Sequence, residues 1–151
     1  MKKRTIILAL CLLAGCNTTQ YGPPTPTTEA PTRDEAISDW AKLQLAIALT
    51  ESRFDPNAVG SNGDLGLFQM REIYVEEVNR VCGTNYKHED ALEPDKAIEI
   101  FNAMQAYYNP SRDTELALYY HNKSTAYKRK VMENLALIER YEALRKQLTD
   151  I

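Results

Sequence analysis

Apolar residues recur at helical spacing from about residue 32 onward, and the pattern breaks into separate stretches at Pro, Gly and Asn clusters. Thr32 and Glu35 have the spacing of a capping box and predict a helix start near Thr32. Ile37, Trp40, Ala41, Leu45 and Ala48 then define one apolar face. At about 100° per residue, Glu51 falls about 40° from Ile37, inside that apolar stripe and at the end of the helix.

The stretch 57–66 is dense in Gly, Asn, Ser and Asp and reads as a loop. A short helix over about 70–81 follows, with Ile73, Val78 and Val81 as its apolar contacts, and 83–90 reads as a second loop. Pro94 suits a helix start, and Ala97, Ile98, Phe101, Met104 and Tyr108 form the next stripe. Asn109-Pro110 ends that helix. A short helix over about 114–121 and a long one over about 125–148 complete the chain. No alternating strand pattern of useful length is present, so the fold class is mostly α with little or no β structure.

Before residue 32 the chain has a different character. Met1-Lys2-Lys3-Arg4 is basic and an apolar run from Ile6 to Ala14 follows, too short to span a bilayer, which predicts a secretory signal over 1–15. Leu13-Ala14-Gly15-Cys16 resembles the bacterial lipobox, and the resemblance implies cleavage before Cys16 and its lipidation. Asn17, rather than Asp, in the next position points to the outer membrane, facing the periplasm. Residues 16–33 are rich in Thr and Pro with little to bury, a tether that spans on the order of 50 Å when extended. The remaining domain, 34–151, keeps a single cysteine, Cys82, which forms no internal disulfide and which its apolar neighbours predict to be packed.

Composition narrows the chemistry. The net charge is −3 with no basic block beyond the signal, which argues against nucleic acid as a partner. His88 and His121 are the only histidines and lack paired metal-ligand spacing, so neither a metal nor any other cofactor is expected. Gly60 to Gly66 lacks the Lys and Ser/Thr of a phosphate loop. Glu51 remains. A carboxylate on an apolar face either has a partner or keeps its proton, and a carboxylic acid in an apolar cleft is suited to protonate a glycosidic oxygen.

Two motifs then carry a resemblance. Ala48-Leu49-Thr50-Glu51-Ser52-Arg53-Phe54-Asp55-Pro56-Asn57-Ala58 resembles the catalytic motif of the soluble lytic transglycosylase (SLT) family, relatives of goose-type lysozymes. Ser61-Asn62-Gly63-Asp64-Leu65-Gly66-Leu67-Phe68-Gln69-Met70 resembles the family's second motif, in the same order and at a similar short gap. Leu92-Glu93-Pro94 resembles the next segment. The family's closing Ala-Tyr-Asn-Ala-Gly corresponds to Tyr120-His121-Asn122-Lys123-Ser124, where His121 replaces the Tyr and Lys123-Ser124 replaces Ala-Gly. Tyr127 and Val131 resemble a closing Tyr and Val, and they suit core packing as well as a place in the cleft.

The resemblance implies a lysozyme-like helical domain that cleaves the β-1,4 MurNAc-GlcNAc bond of peptidoglycan glycan strands. Glu51 would act as acid and then base while the MurNAc C6 hydroxyl attacks its own anomeric carbon, giving a 1,6-anhydro end. Ser52, Gly66, Gln69, Tyr120, His121 and Asn122 would contact the sugar, with Tyr119 an alternative source of the hydroxyl. Asp64 is the one nearby candidate for a second acid and more naturally shapes the Asn-Gly-Asp turn. Two other readings stay open at this stage: a hydrolysing lysozyme, and a lipoprotein that binds glycan without cutting it.

Overall fold

The structure is a computed structural model and describes residues 37–149. The signal (1–15), Cys16, the tether (16–33) and the Thr32/Glu35 cap lie outside the described residues. The described chain runs α1 (Asp39–Glu51), α2 (Glu72–Cys82), a 3-10 turn (His88–Leu92), α3 (Pro94–Tyr108), α4 (Thr114–His121) and α5 (Thr125–Thr149). Among the described residues β structure is limited to isolated bridges from Leu65 to Val59 and Met70, and no helix is long and apolar enough to cross a membrane.

Local chemistry sets most helix boundaries. Ser38 caps α1 by accepting the Ala41 amide, Pro94 occupies the first turn of α3, and Asp113 caps α4 by accepting the Leu116 amide. Phe101 of α3 sits at the centre of the core, with ring centroids 5.2 Å from Phe68 and 5.9 Å from Trp40. Leu43 and Ile47 of α1, Val75 and Val78 of α2, Leu118 of α4 and Val131 of α5 close around it. The Trp40 indole and the Gln44 amide both donate to Asn102 Oδ1, at 2.9 and 3.0 Å, tying α1 to α3.

Several expectations need correction. Helix α1 starts at Asp39, and Ile37 precedes it and is exposed. Its buried residues are Leu43, Ala46, Ile47 and Ala48, while Ala41 and Leu45 are half-buried. From Leu43 to Leu49 this helix is apolar on almost every side, so a stripe chosen by spacing alone did not single out the core face. In α2 the core contacts are Val75 and Val78, and Ile73 is 66% exposed on the first turn. The second predicted loop contains the 3-10 turn, and Ile100 rather than Ile98 is buried in α3. Cys82 is exposed, because it ends α2; its thiol lies 3.5 Å from the Ala103 carbonyl, and partial burial pushes its pKa up.

Helices α2 and α3 also share a polar clasp. Arg80, first, and the Tyr108 hydroxyl, second, hold the Glu77 carboxyl down at about 2. An unfolded glutamate titrates near about 4.3, so this contribution to stability is complete above that pH and is lost as the pH falls toward about 2. Thermal melts of Glu77→Gln are therefore expected to lose less stability than the wild type between about pH 5 and pH 2. Equal losses in the two proteins would show that the clasp contributes nothing.

Candidate active site

Helix α1 ends at Glu51 because the next residues leave the helical conformation. The Ser52 and Phe54 amides both donate to the Ala48 carbonyl, at 3.0 and 3.3 Å. Arg53 and Phe54 take left-handed φ values of 56° and 67°. Such a conformation costs a non-glycine residue about 1 kcal/mol or more. Two in succession turn the chain sharply and bring the following loop back past the helix end. Thr50 secures the same end from the other side: its hydroxyl donates to the Ala46 carbonyl at 2.7 Å and accepts from Asn134 Nδ2 of α5 at 2.8 Å.

The Glu51 side chain is 19% exposed, and Oε1 lies 3.3 Å from Nε2 of His121, whose side chain is 4% exposed. His121 is the last residue of α4. Its ring is enclosed by Tyr74 of α2, Phe101 of α3 and Tyr127 of α5, at centroid distances of 5.8, 5.9 and 6.0 Å. The Tyr127 phenol is pushed well above its ordinary pKa, by burial first and by the Glu51 charge second. Burial does the same to Tyr74, against a smaller opposing effect of Gln105. His121 Nδ1 is buried without a hydrogen-bond partner, while the buried Tyr74 and Tyr127 hydroxyls stand beside Gln105 and Glu51 respectively, outside ideal hydrogen-bonding geometry. Buried polar atoms gathered beside a carboxylate are unusual in a packed interior, which makes this cluster the candidate site.

Sequence reasoning placed Glu51 at the helix end, where it stands, and gave His121 as a sugar contact; the structure sets His121 against the Glu51 carboxyl group. The other predicted contacts are engaged within the chain. The Ser52 hydroxyl lies within donating distance of the Leu67 carbonyl (3.0 Å) and the Ala48 carbonyl (3.2 Å). The Gln69 amide donates to Ala58 O at 3.1 Å and Gly66 O at 2.9 Å, bracing the loop. Gly66 is buried at φ 71°, with the Ala91 carbonyl oxygen standing where a side chain would begin. Tyr120 stacks on Tyr108 at 5.0 Å, and Tyr119 is exposed beneath the Lys123 ammonium. The Asn122 side chain accepts the Ser124 amide at 3.0 Å just before α5. The Asp64 carbonyl accepts the Gly60 amide at 2.8 Å, as a turn residue should.

Tyr74 and Gln105 were missed. The signal for Gln105 was available: it stands four residues after Phe101, a polar amide on the buried face of α3. His88, by contrast, is taken up by the Met70 carbonyl at 2.8 Å, and among the described residues no group of three His, Cys, Asp or Glu could hold a metal ion. A separate apolar groove of about 500 Å³, lined by residues such as Leu45, Phe54, Leu137 and Tyr141, includes neither Glu51 nor His121.

Comparison with protein-family models finds a match to the transglycosylase SLT domain over residues 32–136. Comparison with curated proteins and with solved structures finds no match.

Proposed function

The chain belongs to the transglycosylase SLT family, and we propose on that footing that it is a membrane-anchored lytic transglycosylase of peptidoglycan. The observation that carries this reading is the placement of Glu51, half-buried at the end of α1 and facing an imidazole and a phenol rather than a second acid. A single carboxyl group serves both halves of the reaction when the nucleophile belongs to the substrate. Glu51 protonates the oxygen bridging MurNAc and GlcNAc as the bond to the anomeric carbon breaks. It then takes the proton of the MurNAc C6 hydroxyl as that oxygen closes on the same carbon. Ser52, Gly66 and Gln69 serve the site by holding the 57–69 loop against the end of α1. The signal over 1–15, lipidated Cys16 and the 16–33 tether would hold the 34–151 domain at the outer membrane, facing the periplasm.

The test is digestion of isolated sacculi with mass spectrometry of the released fragments. The wild type is expected in the membrane fraction and Cys16→Ser in the soluble fraction, both releasing muropeptides with 1,6-anhydro ends. Reducing ends would indicate a hydrolysing lysozyme, and retention on sacculi without release would indicate a glycan binder.

A further inference from the structure

The geometry points to a second glycan-binding surface beside the catalytic centre. It is a platform of four tyrosines, Tyr107, Tyr108, Tyr120 and Tyr119, on which the strand rests sugar rings that lie beyond the bond being cleaved. This deepens the proposed function and rests on its reading of the substrate as peptidoglycan glycan.

The four rings meet across the ends of two helices. Tyr107 and Tyr108 close α3, and Tyr119 and Tyr120 stand in the last turn of α4. Tyr107 lies against Tyr108 at 4.8 Å between ring centroids, Tyr108 stacks on Tyr120 at 5.0 Å, and Tyr120 meets Tyr119 at 5.5 Å. The middle pair is half-buried and fixed, with the Tyr108 hydroxyl donating to Glu77 Oε1 and Arg80 Nη2 3.5 Å away. The outer pair is open: Tyr107 is 56% exposed and Tyr119 50%. The Lys123 ammonium, 5.0 Å from the Tyr119 ring centroid, thus leaves half of that residue in solvent. Neither outer tyrosine belongs to the core.

Single exposed aromatics are ordinary on a protein surface, whereas four in contact form a contiguous patch that marks a binding surface. A sugar ring suits it, because its faces carry C–H bonds and its hydroxyls lie around the rim, which matches the electron-rich face of a phenol. Such a stack reads ring faces rather than substituents, so it accepts a strand of alternating sugars. Its position relative to the acid follows from α2. Tyr74 of that helix meets the His121 ring, which faces Glu51. Glu77, three residues and about 5 Å further along the helix, takes the Tyr108 hydroxyl. Tyr120 directly precedes His121 in the chain. The platform therefore starts about one helical turn from the imidazole that faces the acid, where a long strand has further sugars to place.

Binding to isolated sacculi tests this, with the full-length chain in detergent and Glu51→Gln as the parent so that the sacculi are not consumed. Leucine at both Tyr107 and Tyr119 keeps apolar bulk and removes the flat faces. The affinity of that variant is expected to fall about tenfold or more, at an unchanged melting temperature. Should the double variant unfold, Tyr107→Leu alone carries the same test at the more exposed end. Phenylalanine at both positions keeps the faces and loses only the hydroxyls, and is expected to bind within about twofold of the parent. Undiminished binding by the folded leucine variant overturns the platform. A loss in the phenylalanine variant equal to that of the leucine variant assigns the effect to the hydroxyls and overturns stacking. If sacculi bind through the platform while the wild type releases no muropeptides, the platform stands and the proposed cleavage fails.

Discussion

Glu51→Gln is expected to lower glycan cleavage about 1,000-fold or more. A positioned general acid or base contributes roughly 100- to 10,000-fold, and in the proposed reaction one group performs both steps. The amide of Gln keeps the size and shape of the acid while carrying no transferable proton. It can still meet His121 and Tyr127, so the fold is expected to survive, with far-UV circular dichroism unchanged. The clamp through Thr50 and Asn134 and the cap at Ser52 do not involve the carboxyl group, which isolates the chemical effect from the structural one. Turnover within about tenfold of wild type would remove Glu51 from the reaction.

The largest structural effect is expected at Gly66. A Cβ built there would stand 1.8 Å from the Ala91 carbonyl oxygen, and the backbone holds a left-handed φ of 71°. Alanine must therefore accept conformational strain of about 1 kcal/mol or more and force the loop from the 3-10 turn, a further cost of roughly 1–3 kcal/mol. Gly66→Ala is expected to lower the melting temperature by on the order of 10 °C. It should also lower activity, because the loop braced by Gln69 and Ser52 would no longer lie against the end of α1. Gly63→Ala is the control. Its φ is 78°, but nothing lies within 4 Å of an added Cβ, so only the strain is incurred. Equal losses at the two positions would mean that the contact with Ala91 is easily relieved.

How much of this was legible in the sequence depended on the range of the interaction. Helices α3, α4 and α5 were read within a residue or two, because Pro94 and Asn109-Pro110 are local signals. The end of α1 at Glu51 was legible for the same reason. Its buried face was not, since apolar residues surround most of the helix and spacing alone cannot choose among them. The cluster around the carboxyl group was only half legible. Glu51 and His121 stood in recognisable motifs, but Tyr74 and Gln105 join them only once α2, α3 and α4 have packed. The hydrogen bonds of Ser52 to Leu67 and of Gln69 to Ala58, 15 and 11 residues away in the chain, were not legible from local pattern. His121 is the instructive case: at a departure from the family pattern, its Nε2 stands 3.3 Å from the acid.

In the proposed reaction Glu51 drives an intramolecular transfer in which no water enters the product. Digesting sacculi in heavy-oxygen water tests it most directly. Wild-type fragments are expected to be lighter than hydrolysis products by one water, with no heavy oxygen at the MurNAc end, and Glu51→Gln is expected to release none. Heavy oxygen at that end in the wild-type fragments would contradict it.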